Sequence, residues 1–370
     1  MNRDTQIVHA GYRKAPAAGP FLAGPQFSST YASPGDPGSH ALTYGRFHNP
    51  TWTAWEEALG VLDGGEAVAF ASGMAAVDAV LGVTLKAGDV AVLPSDSYYA
   101  IRRLAASWLE PRGVEVRFVP TGGDGHLAAI AGASLLWLET PSNPVLDVCD
   151  IRLLADLARA RGVIVAVDNT TATAYLQQPL ELGADVVVAS DTKGLTGHSD
   201  LLLGHVSTRD AARAESLRAW RIHHGAIPGP MEVWLAHRSL PTLPLRMARQ
   251  CASAGQLAAL LASRADVAAV HYPGLLQHRG HAVAARQMRA CGTIVSFDLG
   301  TRARAEAFMG ALTLVREATS FGGVHSIAER RARWGGDAVG EGFIRFSVGC
   351  EAVDDIVADV LAGLDAASRG

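Results

Sequence analysis

Residues 167–200 read VDNTTATAYLQQPLELGADVVVASDTKGLTGHSD. The stretch opens on the end of one apolar run, VIVAVD at 163–168, and contains a second, ADVVVAS at 184–190. Hydrophobic residues at successive rather than alternate positions fit strands covered on both faces, hence a mostly parallel sheet between helices. Upstream, AVAF at 67, DVAVLPS at 89, VEVRFVP at 114 and SLLWLET at 134 recur at intervals that leave room for helices. Residues 51–240 are therefore expected to form an α/β domain. Beyond them the pattern changes: a helix over MARQCASAGQLAALLAS leads into VAAVHY, TIVSFDL, LTLVREAT and FIRFSVG, with helices over 279–290, 303–311 and 353–366. That predicts a smaller α+β domain over 241–370. Residues 1–50 are rich in Gly, Pro and Ser and show neither period clearly, as expected of an extended arm that wraps a neighbour.

At roughly 150 residues per domain, 370 residues are enough for two or three domains with a substantial core. A net charge of −4 leaves no electrostatic footprint for nucleic acid, so none is expected as a partner. No apolar run reaches the roughly 18 residues of a membrane helix, and the N-terminus lacks the apolar stretch of a secretory signal; the expected location is cytoplasmic. Cys149, Cys251, Cys291 and Cys350 are far apart without a C-x-x-C pair, and read as small buried residues rather than a zinc site or disulfide framework. No metal site is expected. Of 32 basic residues only three are lysines, Lys14, Lys86 and Lys193. Chemistry that needs a primary amine has three candidates.

In open parallel sheets, ligands sit beyond the carboxyl ends of the strands. The polar groups at such ends are Ser72 and Gly73, Glu139, Asp168, and Ser190, Thr192 and Lys193. Lys193 follows a fully apolar strand, so the chain delivers its amine to the crevice, where desolvation lowers a lysine's pKa and makes it a nucleophile. Lys14 in the arm and Lys86 at a helix end read as solvated. A carboxylate at Asp168 fits either a counter-ion to a buried cation or a cap for the residues that follow. Lys193 and Asp168 together meet the demand of pyridoxal phosphate for an imine-forming lysine and an acidic partner to its ring nitrogen. FASGMAA supplies an anion cradle, since Ser72-Gly73-Met74 opens a helix with free backbone N–H groups.

Competing motifs fail. Ser190 and Lys193 satisfy S-x-x-K, the signature of penicillin-recognising acyl enzymes, but no lysine follows Lys193, so the required K-T-G cannot exist. There is no G-x-G-x-x-G after a strand, no Walker loop and no H-E-x-x-H pair.

Over nearly its whole length the chain resembles the pyridoxal-phosphate-dependent enzymes of cysteine and methionine metabolism, which include the cystathionine γ-synthases, γ-lyases and β-lyases and the methionine γ-lyases. The resemblance rests on VHAGY, SSTY, YGRFHNPT at 44, FASGMAAV at 70, ETPSNP at 139, the 167–200 block, SFGGVHS at 320 and IRFSVGCE at 344. It implies fold type I of the pyridoxal-phosphate enzymes. Lys193 would carry the cofactor and Asp168 would pair with the ring nitrogen. Ser190 and Thr192, with Ser72 and the Gly73 and Met74 amides, would hold the phosphate. Tyr98 would stack on the ring, while Tyr44 and Arg46 would reach the phosphate of a neighbouring subunit, which implies an obligate dimer and commonly a tetramer. Asn143 would contact the cofactor and the substrate side, and Arg345 would clamp the amino acid's carboxylate.

By the same resemblance, Lys193 would remove the α-proton and Tyr98 would protonate the leaving group. The implied activity is a cystathionine γ-lyase-like C–S lyase giving 2-oxobutanoate, ammonia and a thiol. The alternatives are γ-replacement on an acyl-homoserine, and methionine γ-lyase- or cystathionine β-lyase-like elimination. Two departures bear on substrate. Thr319 stands before Ser320 where many γ-acting members carry an acid. The segment AERRARWGGDAVGEG between Ile327 and Phe343 is shorter than the family's and lacks its P-A-S-M-T-H-like stretch. Arg330, Arg331 and Arg333 within it either favour an acidic or acylated substrate or, the reading preferred from sequence, are simply solvated.

Overall fold

The computed structural model describes residues 1–12 and 18–369, so the expectation for Lys14 lies outside the described residues. Seven strands form the larger sheet: β1 (Glu66–Phe70), β2 (Val90–Pro94), β3 (Glu115–Val119), β4 (Leu135–Glu139), β5 (Ile164–Asp168), β6 (Val186–Ala189) and β7 (Gly204–Thr208). Their spatial order is β1-β7-β6-β5-β4-β2-β3. The pairs β2–β3, β2–β4, β4–β5 and β5–β6 are parallel, as the continuous apolar runs require. One face packs on the helix Gly73–Thr84 through Val68, Phe70, Trp137 and Val188. Trp52, Trp55 and Leu59 of the helix Pro50–Asp63 join the opposite layer with Ala67 and Ala69 of β1.

Strand β7 is absent from the sequence reading. It runs antiparallel to both β1 and β6. Its residues, Gly-His-Val-Ser-Thr, look like a loop, yet the strand is wholly buried. The polar side chains are accommodated because His205 and Ser207 both reach Asp63 inside the protein.

The second sheet contains β8 (Ala269–His271), β9 (Ile294–Asp298), β10 (Arg316–Glu317), β11 (Ile327–Arg330) and β12 (Phe343–Ser347), in the order β10-β11-β12-β9-β8. The helices Leu243–Ala262, Arg302–Ala311 and Val353–Ala367 pack against it through Leu257, Phe308 and Val360. Two details differ from expectation. LTLVREAT contributes only the two residues of β10, and β11 arises where the charged sequence IAER gave no strand signal. Residues 1–12 also carry more structure than an extended arm. The helix Arg3–Val8 buries Ile7 in the core, and Arg3 donates to the carbonyl oxygens of Ala174, at 2.8 Å, and of Leu62.

The crossing of β7 with the helix Gly73–Thr84 is intimate. A Cβ on Gly204 would lie 2.6 Å from the backbone of Ser72 and Gly73, where nothing flexible can yield. Gly255, in contrast, sits in the helix Leu243–Ala262 with open space beside it. Gly204→Ala is therefore expected to cost about 1–3 kcal/mol of stability through overpacking. Gly255→Ala should raise stability by about 0.5–1 kcal/mol by removing helix glycine. Chemical denaturation of the two variants beside the parent checks the opposite signs.

Candidate active site

Asp168, Ala189 and Glu139 end the parallel strands β5, β6 and β4, and the chain leaves each of them toward one crevice. The second sheet closes it by bringing β12 and the turn before β11 against the strand ends. The resulting cavity has a volume of about 410 Å³ and is lined by Ser72, Gly73, Met74, Tyr98, Asn143, Asp168, Ser190, Thr192, Lys193, Thr319, Ser320 and Arg345. Every site residue expected from the sequence is among them except Tyr44 and Arg46. Those two sit outside the chain's own cavity: Tyr44 is exposed, and Arg46 donates to the Ile222 carbonyl at 2.8 Å while its guanidinium stacks over Tyr44 and Phe47.

Lys193 follows β6 in a turn that folds back on β7. The Lys193 ammonium donates to the Ser320 hydroxyl at 2.8 Å and lies over the Phe321 ring. Burial, with the nearby Arg345 charge adding to it, lowers its pKa from the ordinary lysine value to about 8. Ser320 has φ +76°, in the left-handed region that costs a residue with a Cβ about 1–2 kcal/mol. The surrounding contacts hold this strain at the point that faces the lysine. Lys86, by comparison, is exposed, as expected.

Asp168 combines the two roles the sequence left open. One oxygen accepts the Thr170 N–H at 2.9 Å, as a turn cap would, while the carboxyl group faces the cavity. Burial pushes its pKa up, and Thr170 acts in the opposite direction. A half-buried carboxylate turned into a cavity in this way is best matched by a cation.

Two acids that the sequence reading did not assign to the site organise it. Glu139 accepts the backbone N–H groups of Tyr98, at 2.8 Å, and Asn143, at 3.0 Å, and so fixes both residues on the rim. Burial, with Asp168 close by, raises the Glu139 pKa well above the carboxylate range. Its position at a strand end was visible in the sequence; its partners were not. Glu329, on β11, is fully buried and accepts from Arg345 at 2.8 Å, Arg331 at 2.7 Å and Arg333 at 3.0 Å, and from the Trp334 indole. Burial opposes its ionisation, but Arg345, Trp334 and Arg331 hold it below its ordinary pKa.

Arg345 also donates to the Asn143 side-chain oxygen at 2.9 Å and to the Ser320 carbonyl at 2.7 Å. Burial lowers its pKa to about 10, which leaves it charged at neutral pH. The solvated reading of the arginines after Ile327 fails for two of the three: Arg330 and Arg331 are buried, because Glu341, Glu329 and Asp337 pair with them. Asp337 bonds Arg102 as well, from the helix Tyr99–Leu104 that follows Tyr98. Arg331 and Trp334 thereby form part of the cavity wall.

The residues fit pyridoxal phosphate. The backbone at Gly73 approaches Ser190 so closely that a Cβ there would meet the Ser190 Cβ at 2.7 Å, which keeps the first amides of the helix Gly73–Thr84 open toward the cavity as an anion cradle. Ser72 caps that helix by accepting the Ala75 N–H at 3.1 Å. The Thr192 hydroxyl is engaged with Leu203, donating to its carbonyl at 3.1 Å and accepting its N–H at 3.0 Å, so it pins the lysine turn to the entry of β7. Asp168 offers the partner for a protonated pyridine and Lys193 the amine.

Known proteins agree with this arrangement. The model of the Cys/Met metabolism PLP-dependent enzymes matches residues 4–365. A Streptomyces coelicolor protein with a provisional cystathionine gamma-lyase name is 55% identical over 366 residues, covering 98% of this chain and 93% of that protein. A cystathionine gamma-lyase of Bacillus subtilis is 37% identical and covers 99% of this chain and 100% of its own. A solved cystathionine gamma synthase from Xanthomonas oryzae, in complex with cystathionine, superposes with a TM-score of 0.96 at 34% identity, over 100% of this chain and 99% of that one. With strand order, cavity and sequence in agreement, the chain belongs to the Cys/Met metabolism PLP-dependent enzymes.

Proposed function

We propose that the protein is a C–S lyase of the cystathionine γ-lyase kind, which with water converts cystathionine into cysteine, 2-oxobutanoate and ammonia. One observation carries the reading: a half-buried lysine of lowered pKa and a buried arginine with its own buried counter-ion face the same cavity, one suited to move a proton and the other to hold a carboxylate.

Pyridoxal phosphate, when bound, supplies the electron sink that lets an amino acid give up its α-proton. Ser72, Ser190 and the Gly73 and Met74 amides would hold its phosphate, and Asp168 its ring nitrogen. The guanidinium of Arg345 orients the substrate carboxylate, so that the α-hydrogen points at the Lys193 amine. The amine takes that proton and moves it onward, which its pKa of about 8 allows near neutral pH. Burial, with Tyr99 adding to it, raises the Tyr98 pKa, so the phenol keeps its proton until the departing sulfur needs one. Glu139 fixes the backbone of Tyr98 for that transfer.

Residues 1–50 are assigned contacts with a neighbouring subunit, where Tyr44 and Arg46 complete the partner's phosphate site; 51–240 form the cofactor domain and 241–370 the C-terminal domain. The assembly is a homotetramer, a dimer of dimers, in the cytoplasm. Among the described residues no helix is long and apolar enough to cross a membrane.

A second reading, γ-replacement on an acyl-homoserine, is favoured by Thr319, which puts an uncharged, exposed side chain at the cavity rim. Cystathionine, homocysteine, methionine, cysteine and acyl-homoserines assayed in parallel should give 2-oxobutanoate from cystathionine. Pyruvate alone from cystathionine overturns the γ assignment, and a new thioether from an acyl-homoserine and cysteine without 2-oxobutanoate makes the protein a synthase.

Two further outcomes follow from Lys193. Lys193→Ala should lower kcat by at least about 10²–10⁴-fold, the range of lost acid–base catalysis, while weak cofactor binding persists; steady-state kinetics and absorbance of the purified variant report both. In the protein stripped of cofactor, the neutral amine fraction increases tenfold per pH unit below about 8 and saturates above it. Incorporation of pyridoxal phosphate, fixed by borohydride and located by peptide mass, should follow that curve. A rate that keeps rising toward pH 10 would mean an unperturbed lysine.

A further inference from the structure

The buried strand β7 carries a charge cluster that the chemistry above does not use. His205 Nδ1 lies 2.5 Å from an Asp191 oxygen and Nε2 lies 2.8 Å from an Asp63 oxygen. All three side chains are essentially without solvent access. The Ser207 hydroxyl donates to the same Asp63 oxygen at 2.6 Å. Among the described residues the second oxygen of Asp63 has no hydrogen-bond partner, and the Asp191 carboxylate has only the Trp55 indole beside it besides the ring. A neutral imidazole has one N–H and one lone pair, so it would set a lone pair against one carboxylate. Only the doubly protonated ring satisfies both sides with ionised acids, and the burial of two carboxylates requires the cation.

Asp191 stands between Ser190 and Thr192 and two residues before Lys193. The lysine turn is thus tied to β7 and the residue that precedes it, by Thr192 to Leu203 and by Asp191 to His205. Its start is tied to β5 by the Ser190 N–H, which donates to the Thr170 hydroxyl at 2.8 Å. Asp63 anchors the far end of the cluster in the helix Pro50–Asp63.

We propose that His205 is a positioning residue: clamped between Asp63 and Asp191 as a buried imidazolium, it holds the turn that presents Ser190, Thr192 and Lys193 to the cavity. The inference rests on Lys193 as the reacting amine. The groups that face the ring are Asp63, Asp191 and the Ser207 hydroxyl. Trp55 lies beside Asp191, Arg3 acts on Asp63, and the ring's charge reaches Asp168, where it favours the ionised carboxylate. Burial disfavours the imidazolium, yet Asp191 and Asp63 raise its pKa to about 10. Since the folded value lies above the unfolded one, the stabilisation is complete below about pH 6.5 and is lost as pH rises toward 10.

The test begins with the parent protein, labelled with 15N-histidine and free of cofactor. Its solid-state 15N spectrum, assigned by the peak lost in His205→Gln, should show both ring nitrogens of His205 protonated from pH 6 to pH 9. A ring that titrates near the ordinary histidine value overturns the proposal. Asp191→Asn keeps the shape and removes one charge; it should weaken pyridoxal phosphate binding to the stripped protein by about tenfold, the loss expected for a charge-assisted bond, and shift the pH midpoint of Lys193 labelling. The double variant His205→Leu/Asp191→Leu guards against a misfolded single variant by removing both charges at once. If it folds and labels Lys193 with the parent's affinity and midpoint, the cluster is only structural and the proposal falls. If the borohydride adduct in the parent lies on another lysine, it is the assignment of Lys193 that has failed instead.

Discussion

A carboxylate with no exposed surface, Glu329, sets the terms for the whole cleft. Three guanidinium groups and an indole converge on it, and one of the three, Arg345, crosses to Asn143 in the loop that follows β4 of the larger sheet. Isolated, such a carboxylate would be costly to bury. With its partners it fixes the distance between the two sheets, and the cavity between them inherits that distance. Loss of one partner would leave a buried charge uncompensated, which is why the cluster behaves as a unit. Through Arg331, Asp337 and Arg102 the same network runs to the helix after Tyr98, so Arg345 and Tyr98, the residues proposed to clamp one end of a substrate and protonate the other, share a frame.

Acids and bases divide the cleft by environment. Burial raises Asp168 and Glu139 and lowers Lys193, while the arginine cluster holds Glu329 ionised. Such divergence among neighbouring titratable groups marks a site of proton transfer more clearly than any single residue does.

The strand-end logic made Lys193, Asp168, Ser190 and the Ser72–Met74 cradle legible in the sequence, because each follows an apolar run that leaves little doubt about its direction. Arg345 was legible only through the family resemblance, with the apolar residues around it in FIRFSVG arguing against a surface position. His205, Glu329 and Arg331 were not. Charged residues read as solvated from sequence, and only the pairing of distant segments, position 63 with 205 and 329 with 345, makes their burial tolerable. Strands β7 and β11 were hidden by the same cause, since their polar residues broke the hydrophobic pattern on which strand recognition depends. Tyr44 and Arg46 are a different matter: they lie away from the chain's own cavity, Tyr44 exposed and Arg46 bonded to the Ile222 carbonyl.

The contacts of Arg345 bear on how tightly the enzyme grips. Both protons of one terminal guanidinium nitrogen are already committed, to the Ser320 carbonyl and to Glu329, and the other nitrogen serves Asn143. A guanidinium carries five N–H groups, so two of them are left over for a ligand. In the role proposed for Arg345, a substrate carboxylate meets donors whose plane is already set by three bonds, and the contribution of the cluster is orientation prepared before the substrate arrives.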